Sequence, residues 1–297
     1  MKILIVSGFL GAGKTTFIKY LAKKINLEFV VLENEYADVG VDKDFLDEDN
    51  LRVWEMSEGC ICCSMTGDFK KSIRTIYSQI NPEYLLIEPT GIGMLSSIIK
   101  NIKSINDCEI TILNPVTLLD TSSFYEYYGN FEEYFRDNIT NTGRILLTRL
   151  EKITKSEKEK IKNKILEIKA DTNIIDEDYR NLDNNFLKEI FNTDIENKEI
   201  ISNFNIMNHI NLKTFSKINL EINTMDKLGI FLDKILKDDF GKVYRAKGFL
   251  KIEGQYGKFN LVHKNFEMES CPPFKENKLI IIGNNLDIQG INEFLEK

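Results

Sequence analysis

Residues 8–15 read Gly8-Phe-Leu-Gly-Ala-Gly13-Lys14-Thr15, which matches G-x-x-x-x-G-K-[ST], the pattern of a phosphate-binding loop. The apolar run Lys2 to Ser7 comes before it and predicts a buried strand. The segment Lys14 to Lys24 follows, with apolar residues at helical spacing, and predicts a helix. Strand, glycine loop and helix in this order are the context that the motif requires. The sequence therefore predicts a P-loop nucleoside-triphosphatase.

The chemistry of this loop assigns roles to its residues. Its glycines allow backbone N–H groups to face the phosphates, and the helix that follows adds the partial positive charge of its N-terminus. The Lys14 ammonium reaches the β- and γ-phosphates, and the Thr15 hydroxyl holds Mg²⁺. The predicted nucleotide-binding residues of this segment are Gly8, Gly11, Ala12, Gly13, Lys14, Thr15 and Thr16.

A second acidic segment, Ile-Glu88-Pro-Thr-Gly91, follows the apolar run Tyr84 to Ile87. P-loop enzymes place a carboxylate that holds Mg²⁺ or positions water at the end of such a strand. We therefore predict that Glu88 is a catalytic Mg²⁺ ligand and that the backbone N–H of Gly91 binds the γ-phosphate.

Strand patterns alternate with helical patterns through the first half of the chain, which predicts an α/β fold with a mostly parallel sheet and helices on both faces. The pattern of predicted strands and helices changes after about residue 206. There, further strands, a turn at Gly254 and Gly257 and a closing helix predict a small α+β domain. The predicted domains are residues 1–205, a P-loop domain, and residues 206–297.

Composition limits the partners. The net charge of −7 gives no electrostatic footprint for nucleic acid or for an anionic membrane, so neither is a predicted partner. The N-terminal apolar run lacks the length and cleavage site of a signal peptide. An odd number of cysteines, five, with three of them within four residues, is a poor disulfide framework. Together these features predict a cytoplasmic protein.

The clustered thiols are Cys60, Cys62 and Cys63. Soft thiolates at this density suit Zn²⁺ or another thiophilic ion, and a tetrahedral zinc site needs one more ligand. Glu33, Glu35 or a water molecule is a candidate for that position. A redox role, in which the adjacent Cys62 and Cys63 oxidise, remains open beside the metal site.

With these motifs the chain resembles the CobW-type family of P-loop GTPases, relatives of the urease and hydrogenase nickel-insertion GTPases. The resemblance runs almost end to end. The matching segments are GFLGAGKTT (8–16), ENEYADVGVD (33–42), EGCICC (58–63), IEPTG (87–91), YRAKGFL (244–250) and KLIIIGNNLD (278–287).

The resemblance implies GTP hydrolysis coupled to metal handling. It implies that the three clustered cysteines bind the ion with Glu33 nearby, and that Asp38, where a Glu is usual, is a catalytic residue of the first switch beside Lys14 and Glu88. The histidine-rich tracts of many metal-carrying members are absent from the sequence, which argues against bulk metal storage.

The main departure lies where the family carries Asn-Lys-x-Asp to bind guanine. This chain has Thr148-Arg149-Leu150-Glu151 after the strand Arg144 to Leu147. Glu151 keeps the carboxylate but places it one methylene further out, Arg149 keeps the charge without being equivalent to Lys, and Thr148 lacks the amide. GTP is the predicted nucleotide, and ATP or relaxed specificity is the alternative.

Two functions compete on these motifs, and a third, a plain phosphotransferase acting on a small substrate, ranks last because the sequence shows no acceptor-site motif. The favoured one is a GTP-driven metallochaperone that delivers zinc or a similar ion to a client metalloprotein. The other is a nucleotide-switched assembly or activation factor for a corrinoid or metal enzyme, in which the cysteines are structural or redox groups. A homodimer is one possible source of the charge-stabilising group that would raise a slow intrinsic hydrolysis rate.

Overall fold

The computed structural model separates into two compact units, divided between residues 201 and 212, and each unit is described here by itself. The structure describes residues 1–25, 27–33, 52–55, 66–195, 200–201, 212–220, 222–262, 264–274 and 276–296.

The first unit is built on one parallel sheet of eight strands. The strands are β1 Lys2–Gly8, β2 Phe29–Glu33, β3 Arg52–Glu55, β4 Tyr84–Glu88, β5 Thr111–Ile112, β6 Val116–Asp120, β7 Arg144–Thr148 and β8 Asn173–Ile175. Their order is β3-β2-β4-β1-β6-β7-β8, with β5 also paired to β1. Because β1 lies between β4 and β6, the order in which successive strands are added to the sheet reverses beside β1, the strand that leads into the phosphate loop.

The helices of this unit connect the strands. They are α1 Lys14–Lys24, α2 Thr66–Gln79, α3 Leu95–Lys103, α4 Phe124–Asn130, α5 Glu132–Asn141, α6 Lys155–Ile168 and α7 Asn184–Glu189. Thr154 and Glu157 form a reciprocal capping box at the start of α6. The sequence pattern predicted helices at 14–24, 68–80 and 156–168, which correspond to α1, α2 and α6. It did not predict α3, α4, α5 or α7. No helix in the described ranges is both long and apolar enough to span a membrane.

Both faces of the parallel sheet are buried. Leu4 and Val6 of β1 pack into one apolar cluster with α1, whereas Ile3 and Ile5 pack into another with α2 and α3. Strands buried on both faces are apolar at every position rather than at alternate ones, and β1 shows this pattern. The predicted fold class, a mostly parallel sheet covered by helices, is confirmed.

The carboxyl ends of five strands carry the residues of the candidate site. Gly8, Glu33, Glu88, Asp120 and Thr148 end β1, β2, β4, β6 and β7 respectively. Parallel strands present these ends at one edge of the sheet, where ligands of α/β proteins bind.

The second unit is an antiparallel sheet in the order β12-β11-β10-β13-β9. Its elements are β9 Leu212–Ile218, α8 Met225–Leu236, β10 Lys242–Ile252, β11 Gln255–Val262, β12 Asn265–Ser270, β13 Lys278–Asn284 and α9 Ile288–Glu296. Glu253 and Gly254 join β10 to β11 with positive φ angles of 51° and 85°, as a two-residue hairpin turn requires. The predicted hairpin is therefore present, but Gly257 lies within β11 rather than in the turn, and the exposed strand β12 was not predicted.

Candidate nucleotide site

The phosphate loop is shaped by backbone rather than by side chains. Gly8, Gly11 and Gly13 have positive φ angles of 146°, 76° and 96°, a region that favours glycine. A Cβ atom on Gly8 would lie 2.5 Å from the carbonyl oxygen of Leu118 on β6. A larger residue at position 8 would therefore push β1 away from β6 at the start of the loop.

Two buried side chains anchor the loop from below. Phe9 is 5% exposed and Leu10 is 2% exposed. The ring of Phe9 lies among aromatic rings of α4 and the segment around α5, with centroid distances of 4.6 Å to Tyr127, 5.0 Å to Phe131 and 5.2 Å to Tyr134. This cluster was not predicted, because its members are separated by more than a hundred residues from Phe9. These contacts hold Phe9, and with it the start of the loop, against α4 and α5.

The Lys14 side chain is buried and hydrogen-bonded within the loop. The residue is 5% exposed, and its ammonium donates to the carbonyl oxygens of Gly8 at 3.0 Å and Phe9 at 3.4 Å. A buried cation is stable only with such partners. The predicted lysine therefore sits at the loop that it is expected to share with phosphate oxygens.

Thr15 and Glu88 meet at the end of the loop. The Thr15 hydroxyl donates to Oε1 of Glu88 at 2.9 Å. A hydroxyl and a carboxylate from different elements give an all-oxygen pair, which is the ligand chemistry that Mg²⁺ prefers. The two residues predicted to hold Mg²⁺ are thus adjacent, and their chemistry fits that ion.

Gly91 brings the segment after β4 against the phosphate loop. A Cβ atom on Gly91 would lie 2.5 Å from the backbone nitrogen and 2.8 Å from the Cα of Leu10. The turn continues with a hydrogen bond from the Gly93 N–H to the Thr90 carbonyl at 2.9 Å. The predicted γ-phosphate residue therefore touches the loop itself, and only glycine fits this contact.

Glu33 lies beside Glu88 at the ends of neighbouring strands. The two residues are register partners across β2 and β4, and Glu33 is 7% exposed. Residues paired across parallel strands are roughly 5 Å apart and point to the same face of the sheet. Within the described residues no group of three metal-ligating side chains occurs. Asp38, Glu35, Cys60, Cys62 and Cys63 lie outside the described residues, so their predicted roles stay predictions.

The base side of the site is held by side chains. The Thr148 hydroxyl donates to the Ala12 carbonyl at 3.1 Å, and the Arg149 guanidinium donates to the Gly11 carbonyl at 3.0 Å. Both residues of the altered base motif therefore bind the phosphate loop. Glu151 is exposed, within the short 3-10 helix Leu150–Lys152.

Asp120 is a residue of this site that the sequence analysis missed. Its Oδ2 forms an ion pair with Nε of Arg149 at 3.2 Å, and its Oδ1 accepts from the N–H and hydroxyl of Ser122 at 2.9 and 2.7 Å. The available signal was an acid that ends an apolar strand, Val116 to Leu119, as Glu88 ends another.

Two buried titratable groups, Asp137 and Tyr134, lie on α5. Oδ2 of Asp137 accepts from the backbone N–H of Ser96, in the first turn of α3. Burial raises the pKa of the Asp137 carboxyl, and the hydrogen bonds from Ser96 oppose that rise. Burial also raises the pKa of Tyr134, so its phenol stays neutral.

Two models of known protein families match the chain. Residues 2–176, more than half of the chain, match the CobW/HypB/UreG nucleotide-binding domain. The chain belongs to the CobW/HypB/UreG family. Residues 223–297 match a second model, the cobalamin synthesis protein cobW C-terminal domain. Membership of this family confirms the resemblance and the prediction of a P-loop nucleoside-triphosphatase of a GTPase family.

Curated relatives carry metal-related names. The chain is 24% identical over 304 residues to the zinc chaperone YjiA of Escherichia coli, covering 96% of this chain and 94% of YjiA. It is 30% identical to the E. coli zinc chaperone YeiR over 153 residues, 50% of this chain and 47% of YeiR. It is 30% identical over 135 residues to zinc-regulated GTPase metalloprotein activator 1 of Dictyostelium discoideum, 41% of this chain and 28% of that protein. The last two matches thus span half or less of the relative.

Proposed function

We propose that this protein couples the binding and hydrolysis of GTP to the binding of Zn²⁺ or a similar thiophilic ion, which it delivers to a client metalloprotein. The observation that carries the proposal is the register of Glu33 with Glu88. One carboxylate belongs to the predicted thiophilic site and the other to the predicted Mg²⁺ site. In this proposal the two sites lie at the ends of neighbouring strands, and the register of Glu33 with Glu88 supports that arrangement.

The Mg²⁺ end is formed by Thr15 and Glu88. The hydroxyl and carboxylate are already within hydrogen-bonding distance, so little rearrangement is needed to present both oxygens together. Thr15 and Glu88 would hold Mg²⁺ there, and the bound ion would supply positive charge beside the β- and γ-phosphate oxygens. Lys14 supplies the second cation of the loop, and Gly91 supplies a backbone N–H beside it.

The thiophilic end is formed by Glu33 with Cys60, Cys62 and Cys63 as predicted ligands. Two carboxylates on adjacent strand ends repel each other, and a cation beside either of them changes the charge that the other experiences. Nucleotide-dependent changes at Glu88 are thereby transmitted to Glu33 over one strand spacing. Zinc is favoured as the ion because the relatives named above include zinc chaperones.

GTP is favoured over ATP by Glu151. Its carboxylate is exposed at the end of the base loop. A carboxylate accepts hydrogen bonds from the N1–H and exocyclic amine of guanine, whereas N1 of adenine is itself an acceptor and repels it. The extra methylene of Glu151, compared with the Asp of the family motif, changes how far the carboxylate extends toward the base but not its charge. ATP binding with relaxed specificity is the alternative that the experiment below also tests.

The client is a metalloprotein in this proposal, in keeping with the relative named as a metalloprotein activator. The clustered cysteines favour a reducing compartment, so we place the protein in the cytoplasm. A second copy of the chain remains a candidate source of an activating group for hydrolysis.

The test is a titration of the reduced, metal-free protein with Zn²⁺ or Co²⁺ in the presence of GTP–Mg²⁺, GDP–Mg²⁺, ATP–Mg²⁺ or no nucleotide. We expect tight thiolate-type binding whose affinity differs between the GTP and GDP forms. Glu33→Gln is expected to weaken metal binding and its nucleotide dependence. Glu28→Gln is the matched control, because Glu28 is an exposed glutamate just before the same strand.

Metal affinity that is equal in every nucleotide state would overturn the coupling and assign the cysteines a structural role. An equal effect of ATP and GTP would instead assign relaxed base specificity and leave the coupling in place. Loss of nucleotide dependence in Glu28→Gln as well would show that Glu33 has no special part in it.

A further inference from the structure

We infer that Asp120 is a positioning residue of the nucleotide site, which holds Arg149 against the phosphate loop and thereby sets the affinity and base preference for nucleotide. The inference rests on the nucleotide-binding half of the proposed function. It assigns a role to a residue outside both the phosphate loop and the base motif.

The Asp120 carboxylate is fixed on both sides. Oδ1 accepts from the Ser122 backbone and hydroxyl, and Oδ2 faces Nε of Arg149 at 3.2 Å. The side chain is 5% exposed, so the carboxylate is screened from water far more than a surface acid is. Its position is therefore set by the end of β6 and not by solvent.

Arg149 joins this carboxylate to the phosphate loop. Nη2 of its guanidinium donates to the Gly11 carbonyl oxygen at 3.0 Å, while Nε lies 3.2 Å from Oδ2 of Asp120. The backbone of Arg149 has φ 57°, in the left-handed region that long side chains rarely adopt. The contacts of the guanidinium with Asp120 and Gly11 offset the strain of this conformation.

This arrangement determines what Arg149 offers to a nucleotide. With its charged head directed to Asp120 and Gly11, the side chain presents its aliphatic stem to the base. The link also fixes the direction in which the chain leaves β7 toward Glu151. Loss of Asp120 is therefore expected to weaken binding of the base and to leave the hydrolysis of bound nucleotide unchanged.

The experiment compares Asp120→Asn, Arg149→Ala and the double variant. Asparagine keeps the shape and one acceptor oxygen for Ser122, but it presents a neutral amide to Arg149 in place of a carboxylate. We expect dissociation constants for GDP and GTP that rise roughly tenfold, a smaller rise for ATP, and kcat at saturating GTP within about twofold of the parent. The double variant is expected to bind about as weakly as Arg149→Ala alone, because Asp120 acts only through Arg149.

Asp107→Asn is the matched control, since Arg74 and Asp107 form an Arg–Asp pair at 2.8 Å on the same unit, with both side chains exposed. It is expected to leave nucleotide binding unchanged. Because Arg149 follows the last residue of β7 and its side chain is 29% exposed, Arg149→Ala provides a folded reference should Asp120→Asn unfold.

Unchanged nucleotide affinity in folded Asp120→Asn would overturn the inference. So would a fall in kcat at unchanged affinity, which would place Arg149 on the phosphates, and so would additive effects in the double variant. Zn²⁺ does not enter this assay, which contains only Mg²⁺ and nucleotide. A parent protein that binds guanine nucleotides without any effect on Zn²⁺ affinity therefore contradicts the proposed function and leaves this inference standing.

Discussion

The predicted phosphate and base ends of the candidate nucleotide site are built from different parts of the chain. The phosphate end is made of backbone, with Gly8 and Gly91 so close to Leu118 and Leu10 that a single added carbon would collide with main-chain atoms. The base end is made of side chains, in which Thr148 and Arg149 bind carbonyls of the phosphate loop.

This difference explains where the sequence departs from the family pattern. Backbone contacts accept one residue type, so the phosphate end keeps its glycines. A side-chain contact accepts any group that can make the same hydrogen bond. The hydroxyl of Thr148 reaches the Ala12 carbonyl at 3.1 Å although the family's amide is absent. The base motif can therefore change while its link to the loop is kept.

The largest effect is expected for Gly91→Ala. The added Cβ would lie 2.5 Å from the backbone nitrogen of Leu10. Neither the segment around Gly91 nor the segment around Leu10 can move apart without displacing the phosphate loop. Overpacking of this kind destabilises by about 1–3 kcal/mol, and a shift of the loop weakens nucleotide binding by up to about a hundredfold. Calorimetric titration with GDP and denaturant unfolding measure both effects.

Gly129→Ala is the control for that variant, because no atom lies within 4 Å of the position of its Cβ. We expect it to behave as the parent. Equal GDP affinity in Gly91→Ala and the parent would contradict the view that backbone contact defines the phosphate end.

An intermediate effect is expected for Glu151→Gln. Removing the exposed carboxylate takes away an acceptor for guanine N1–H, so the preference for GTP over ATP should fall roughly tenfold. Glu151→Asp moves the carboxylate back by one methylene and is expected to keep the preference. The ratio of kcat/KM for GTP and ATP is the measurement. A ratio unchanged by Glu151→Gln would mean that the base end discriminates without this residue.

The smallest effect concerns Asp137, a buried side chain of α5 that accepts from the backbone N–H of Ser96 in α3. Its pKa is raised from 3.8 by burial, so the folded state holds the proton more tightly than the unfolded state does. The stability from this group is fully present below about pH 3.8 and is lost as the pH rises through the raised pKa. Unfolding free energies of the parent minus those of Asp137→Asn should therefore fall as pH increases from about 3 to 7.

Asp107 is expected to change the free energy of unfolding with pH in the opposite direction to Asp137. The hydrogen bonds from Arg74 lower its pKa, so its contribution is present above its ordinary value of 3.8 and is lost as the pH falls through the lowered pKa. The difference between the parent and Asp107→Asn should rise with pH. Two differences of the same sign would refute the assignment of burial as the dominant influence on Asp137.

The sequence predicted the phosphate end and its framework well. The predicted bounds of α1, β4 and the strand Arg144–Thr148 match the structure, because apolar periodicity there agrees with burial. It did not predict β12, whose residues are all exposed and so carry no core-facing alternation. The helix α7 lies in a segment rich in Asn and Asp that resembles a loop, although Asp183 is its N-cap.

The contacts of the base end could not have been predicted from the sequence. Asp120 and Arg149 are joined by an ion pair across neighbouring strands, and no local pattern reports which acid an arginine will face. The aromatic contacts of Phe9 with α4 and α5 have the same character, since they depend on tertiary packing alone.

The burial of β1 on both faces has a consequence for folding. Its alternate residues enter two aliphatic clusters of similar character, so hydrophobicity alone does not distinguish the correct strand pairing from one shifted by a residue. In a shifted pairing Ser7 or Phe9 would take the place of Gly8 opposite Leu118, where no Cβ fits. Gly8, which opens the nucleotide loop, thus also favours the native register of the central strand. Only the native pairing places a residue without a Cβ atom opposite Leu118.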